Sequence, residues 1–176
     1  MMINLFDKEL GFRITTYLFS GRAHIEVGFC FLNHMRLLGE IYINSSGDKL
    51  NFEEEIRPIL GKLGEIIISK IDPYLETEDQ KEKVFESANN AALFFDTVYI
   101  YIPISNLVNP HYKEKFIDEN HDIKNLFTSS QITYDQFEEL LKDISTECEK
   151  VMKEKENGNA ESNKVKGIYM YDEIRE

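Results

Sequence analysis

Three side chains in the N-terminal part of the sequence, His24, Glu26 and Glu40, have the chemistry of a small acid–base or metal site. The stretch "AHIEVGFCFLN" at 23–33 alternates between apolar and other residues, which is typical of a β-strand with one buried face. His24 and Glu26 share the second face, and the strand pairing argued below places Glu40 opposite Glu26. Adjacent carboxylates form general acid–base pairs, and with a nearby imidazole they can hold a divalent metal.

Two arginines, Arg13 and Arg36, are predicted to lie on the same face of the sheet as this cluster. Guanidinium groups bind phosphate through paired hydrogen bonds. The alternative function is therefore a small hydrolase or nuclease-like enzyme with Glu26, Glu40 and His24 as its catalytic residues. In a competing interpretation this face is open to water, which screens the repulsion of the carboxylates. A cleft over the face would favour the enzyme, whereas a covering helix would exclude it.

The charge of the chain points to a different kind of partner. Net charge is −12, and residues 1–50 carry equal numbers of acidic and basic side chains, so the whole excess lies in the remainder. This balance disfavours direct contact with nucleic acid or an anionic membrane, and it permits a basic protein surface. The acidic residues predicted to bind such a surface lie on the exposed faces of two predicted helices: Glu78, Glu82, Glu86, Glu138, Glu139 and Asp143.

The cysteine content and the N-terminus indicate a reduced, cytoplasmic protein. Cys30 and Cys148 form no CxxC pair and are expected to be buried thiols. The first ten residues lack the basic and apolar regions of a signal peptide. No cofactor is predicted, apart from a divalent metal if the enzyme alternative holds. Gly61 and Gly64 are predicted to permit close helix packing.

Three N-terminal segments, 11–20, 23–33 and 35–44, predict an antiparallel meander. A Gly21-Arg22 turn pairs Leu18 with Ile25 and Phe12 with Phe31, which brings apolar residues together. For the second turn, a two-residue loop would mix the faces of the sheet. A three-residue loop over 32–34 is preferred, because it pairs Ile25 with Ile41 and Glu26 with Glu40. In this register Met35, Leu37, Ile41 and Ile43 face the core.

The rest of the chain predicts helices and one or two further strands. The expected elements are a helix over 52–71 broken or restarted at Pro58, a helix over 78–95 capped by Thr77, a strand over 97–105, and a helix over 134–155 capped by Thr133. The fold class is α+β, with the meander packed against helices. Residues 1–156 form a single domain, 157–166 a mobile linker, and 167–176 a C-terminal strand or tail.

These observations favour a binding protein over an enzyme. The leading interpretation is an acidic protein-binding module whose helical part meets a basic partner that handles nucleic acid, such as a nuclease. In size and charge the chain resembles accessory proteins of phages and mobile elements, some of which inhibit restriction or CRISPR nucleases. That resemblance covers the whole chain but involves no motif, so it implies no site residues.

Overall fold

The computed structural model describes residues 9–32, 34–44, 49–105, 107–108, 123–127, 132–158, 164–169 and 174–175. Within these ranges the fold is α+β, as the sequence predicts. The strands are β1 (Glu9–Phe19), β2 (Arg22–Leu32), β3 (His34–Asn44), β4 (Ala91–Phe94), β5 (Thr97–Pro103), β6 (Lys164–Tyr169) and β7 (Ile174–Arg175). They form one sheet in the order β4-β5-β1-β2-β3-β6, and β7 also pairs with β3; each pairing is antiparallel.

Three helices, α1 (Arg57–Ile71), α2 (Glu78–Asn89) and α3 (Tyr134–Gly158), contribute to the core on one face of this sheet. The alternation in β1 and β2 turns Phe12, Ile14, Ile25 and Val27 toward this core. His24 and Glu26 consequently lie on the opposite face. None of the helices in the described ranges combines the length and apolar character needed to span a bilayer.

The predicted register of the first hairpin is wrong by two residues. The turn is Ser20-Gly21 rather than Gly21-Arg22, because Phe19 pairs with Arg22 and Gly21 takes a positive φ of 71°. Ile14 therefore lies opposite Val27, and Phe12 opposite Phe29. A shift of two residues preserves the faces of both strands, so the apolar alternation alone could not distinguish the two registers.

The second hairpin follows the predicted register only up to a β-bulge. Glu26 pairs with Glu40 as predicted, but beyond the bulge Gly28 pairs with Leu37, so Leu38 is the extra residue of β3. The bulge exchanges the faces of the first part of β3. The prediction that Met35 and Leu37 face the main core is wrong: they form a second small buried cluster with Cys30, while Leu38 joins the main core.

The helix beginnings follow their predicted signals. A wide π-helical turn over Phe52–Ile56 precedes α1, which restarts with Pro58 in its first turn, where a missing N–H leaves no donor unpaired. Thr77 and Gln80 form a capping box at α2. Thr133 accepts from the Gln136 amide at the start of α3.

The helix predicted over 78–95 is too long. α2 ends at Asn89, and β4 then turns back through Phe95-Asp96 to pair with β5. The side chain of Phe95 projects from a tight turn with φ 55°, a conformation that bulky residues rarely adopt. Pairing with β5 thus overrides the helical spacing of Ala88, Ala91 and Phe95.

The C-terminal segment contains the further strands expected from the sequence. β6 pairs with the second half of β3, and β7 with its beginning. Of the predicted linker over 157–166, the first two residues end α3 and the last three belong to β6. Residues 159–163 lie outside the described ranges.

Candidate functional site

His24, Glu26 and Glu40 come together as one compact cluster, because β2 carries the first two residues and β3 places Glu40 opposite Glu26. His24 Nε2 is 2.7 Å from Glu40 Oε2 and 3.5 Å from Glu26 Oε1. One ligand atom from each residue lies within 4.8 Å of the other two. The imidazole and both carboxylates therefore converge on a single point between two strands.

This cluster is buried, which sets its electrostatics. His24, Glu26 and Glu40 are 9%, 3% and 5% exposed. With both carboxylates ionised the three groups carry net negative charge, whether the imidazole is neutral or protonated. Like charges in a low-dielectric interior repel strongly unless a cation compensates them. The arrangement is chemically suited to hold a divalent cation through one nitrogen and carboxylate oxygens.

Two tyrosines orient the imidazole of His24. The ring of Tyr42 stacks on it with centroids 4.0 Å apart and planes 7° from parallel, and Tyr17 stacks on it at 5.5 Å. Both tyrosines lie beside His24 because the observed register forms the row Tyr17–His24–Tyr42. The register predicted from a Gly21-Arg22 turn would instead place Tyr17 beside Glu26 and Phe19 beside His24. Stacking between two tyrosine rings restricts the rotamers of His24, so directing Nε2 toward the carboxylates costs little further side-chain entropy.

The prediction of an open face with a phosphate clamp is wrong on two counts. His24, Glu26 and Glu40 are buried rather than exposed on an open face. Arg13 and Arg36 also lie on opposite faces, because the bulge turns Arg36 to the helical side. Arg13 contacts Met35 Sδ at 3.3 Å, whereas Arg36 Nη1 donates to both carboxylate oxygens of Glu138 at 3.0 Å.

The acidic residues predicted to meet a partner are mostly exposed. On α2, Glu78, Glu82 and Glu86 face solvent, and on α3 Glu139 and Asp143 do so. Glu138 differs from the other five, because it is half-buried and paired with Arg36 and the Tyr134 hydroxyl. It therefore joins α3 to β3 and is a poor candidate for partner contact.

A second site, which the sequence did not reveal, is a largely apolar groove of about 610 Å³ between α1, α2 and the β4–β5 hairpin. We call it the α1–α2 groove. Its lining residues are Leu18, Phe52, Arg57, Leu60, Gly61, Gly64, Glu65, Ile68, Phe85, Ala88, Asn89, Ala91, Leu93, Val98 and Ile100. Two of these lining residues, Phe85 and Leu93, are 60% and 69% exposed. Large apolar side chains clustered in this way commonly mark an interaction surface.

The two glycines of α1 open this groove. A Cβ atom built on Gly61 or Gly64 would meet no atom of the described residues within 4 Å outside its own helical turn. The predicted close helix packing at these glycines is therefore wrong, and their missing side chains leave space in the groove. Two features of the sequence could have indicated this groove: the Gly-x-x-Gly spacing in α1 and the apolar segment "ALFF", which the predicted helix over 78–95 includes.

Charge around the groove is asymmetric. Glu65 lines it and is exposed, and Glu82 lies one helical turn before Phe85 on α2. Arg57 also lines the groove but pairs with Glu53 through hydrogen bonds of 2.6 and 3.0 Å. These bonds hold the pKa of the Glu53 carboxyl below its usual value. Of the two charged residues that line the groove, Glu65 is therefore the charge offered to a partner.

Comparisons with protein families, curated proteins and solved structures return no match to this chain.

Proposed function

We propose that this protein is a binding module that captures a basic, amphipathic segment of a partner protein in the α1–α2 groove. The observation that carries the proposal is the exposure of Phe85 and Leu93 in the lining of an apolar groove with two glycine positions that no other described residue fills. Burying these side chains against a partner would remove apolar area from water, which is the main favourable term in association.

The glycines support this proposal because they weaken the helix that carries them. Glycine inside a helix destabilises it by roughly 0.5–1 kcal/mol relative to alanine. At Gly61 and Gly64 no side chain packs against the missing Cβ, so close packing does not explain the loss. A partner side chain entering the groove would occupy this space.

The charge pattern defines the chemistry of the partner. Glu65 lines the groove, Glu82 lies one helical turn before the lining residue Phe85, and the ion pair with Glu53 offsets the charge of Arg57. A segment with apolar residues on one side and Lys or Arg on the other matches both the apolar lining and the acidic charge of the groove. Grooves that hold nucleic acid are rich in such residues. More specifically, we propose that the partner is a cytoplasmic nuclease. The protein would inhibit it in the manner of an anti-restriction or anti-CRISPR protein of a phage.

A groove-filling substitution tests this proposal. Gly64→Leu places a bulky side chain in the groove, whereas Glu139→Lys changes an exposed residue of α3 and serves as the control. Each variant and the wild type are used as bait in native cell extract, and retained proteins are quantified by mass spectrometry. We expect a protein with a basic, apolar segment to be retained by wild type and Glu139→Lys, and at least tenfold less by Gly64→Leu.

A synthetic peptide of that segment then gives the affinity by titration, and thermal melting checks that Gly64→Leu is folded. Equal binding of the peptide by the wild type and a folded Gly64→Leu variant would rule out the groove as the docking site. Equal capture of the same proteins by all three baits would do so too.

A further inference from the structure

We infer that His24, Glu26 and Glu40, with the hydroxyl of Thr15, bind one divalent transition-metal ion of the kind that accepts nitrogen and oxygen ligands, such as Zn²⁺. This inference is independent of the α1–α2 groove. It concerns the opposite face of the sheet.

The spacing of the donors fits such an ion. Zn²⁺ binds histidine nitrogen and carboxylate oxygen at about 2.0–2.2 Å, which places two ligands of a tetrahedral site roughly 3.4 Å apart. The separation of 3.5 Å between His24 Nε2 and Glu26 Oε1 is close to that value, whereas His24 Nε2 and Glu40 Oε2, 2.7 Å apart, form a hydrogen bond that a bound metal would replace. Small rotations of the carboxylates would complete the geometry.

A second observation comes from Thr15, which is 1% exposed. It lies directly opposite Glu26 on the same face of the sheet, where facing side chains start about 5 Å apart. Among the described residues its Oγ1 has no hydrogen-bond partner. A buried hydroxyl without a partner is destabilising, and here it lies next to the Glu26 member of the cluster. If an ion occupied the cluster, this oxygen would have a partner, because it could serve as a ligand of that ion.

The stacked tyrosines add to the case. Metal-bound histidines are usually held in one orientation by neighbouring groups. Tyr17 and Tyr42 hold the His24 ring in this way and direct its Nε2 toward Glu26 and Glu40. The cluster therefore has an oriented nitrogen ligand, two carboxylates and a spare hydroxyl in a buried setting.

Binding of Zn²⁺ and Mn²⁺ to the full chain tests the inference. The protein is treated with EDTA and dialysed, and each ion alone is added in a calorimetric titration. We expect one equivalent of at least one ion to bind and to raise Tm. Glu26→Gln and Glu40→Gln should each weaken this binding at least tenfold. Glu138→Gln, which alters a paired carboxylate outside the cluster, should leave it unchanged.

Two threonines form a matched pair for the hydroxyl. Thr16 is also buried with an Oγ1 that lacks a partner among the described residues, but it faces the helical core. Thr15→Val should weaken metal binding severalfold, while Thr16→Val should not change it. Equal affinity in the two valine variants would remove Thr15 from the site.

The rise in Tm that metal produces separates this inference from a purely structural ion pair. The rise should be large in wild type and small in Glu26→Gln, because the variant lacks one ligand, whatever the two melting temperatures are in EDTA. An equal rise in wild type and Glu26→Gln would contradict the inference. Metal binding that is absent, or unchanged in both glutamine variants, would contradict it too.

Discussion

Cys148 shows how the core controls the chemistry of a single side chain. It lies on α3 with no exposed surface, among the residues of the main core. Burial, together with the nearby charge of Glu147, raises the pKa of the Cys148 thiol to about 12. The thiolate is the reactive form, so this cysteine is protected from oxidation and alkylation in the folded protein.

The raised pKa predicts a loss of stability in alkaline solution. Above about pH 9, the ordinary pKa of a thiol, the unfolded chain loses the Cys148 proton while the folded protein keeps it, so stability falls as pH rises. One unit above that value the loss is about 1.4 kcal/mol. Urea unfolding of wild type and Cys148→Ala at pH 8 and pH 10 measures this contribution. The advantage of wild type should shrink by about that amount, and an unchanged difference would contradict the raised pKa.

At the scale of elements, α1 combines a well-packed face with an exposed gap. Leu60, Leu63 and Ile67 belong to the main core, whereas Gly61 lies on the solvent-exposed side. The helix thus keeps its position on the sheet through one face and leaves the other free to line the groove. The glycines weaken α1 locally without disturbing the core.

Alanine at either glycine should therefore stabilise the protein. We expect Gly61→Ala and Gly64→Ala each to raise the free energy of unfolding by roughly 0.5–1 kcal/mol, because alanine is the better helix former and its Cβ meets no atom. Urea denaturation measures the change. Lower stability in either variant would mean that another part of the chain packs closely against that position.

Several elements were predictable because local signals and tertiary pairing agree. The caps at Thr77 and Thr133 mark helix starts, and the preferred second-turn register correctly paired Glu26 with Glu40. The bulge at Leu38 was not predictable, since Met35, Leu37 and Leu38 are all apolar and either parity buries apolar side chains. β4 was not predicted because the spacing of its apolar residues also fits a helix. Only pairing with β5, a tertiary contact, makes the strand the favoured structure.

At the scale of the whole molecule, the two edges of the sheet differ in which strands form them and in how exposed those strands are. On one side, β6 and β7 pair with β3, whose second half carries Glu40. On the other side, β4 is a short, fully exposed strand next to the α1–α2 groove. Exposed strand edges invite pairing with other chains, so the β4 edge and the groove together form the surface best suited to a partner.

Removal of the C-terminal strands should weaken the fold without abolishing it. Deletion of 159–176 leaves α3 complete but removes the strands paired with β3. The main core, formed by β1, β2, β3, β5 and the helices, remains. We expect cooperative thermal melting with a lower Tm. An unchanged Tm, or the absence of a melting transition, would contradict this division of stability.

The central claim is that the acidic rim of the α1–α2 groove selects a basic partner. Its most direct test is a titration of the partner peptide, at two ionic strengths, against two double variants with the same change in net charge. Glu65→Lys with Glu82→Lys alters the groove, while Glu139→Lys with Asp143→Lys alters α3. All four positions are exposed, so both variants should melt like wild type. At low salt we expect the groove variant to bind more than tenfold more weakly and the α3 variant to bind close to wild type, with a smaller difference at high salt. Equal binding by the two variants would contradict the claim.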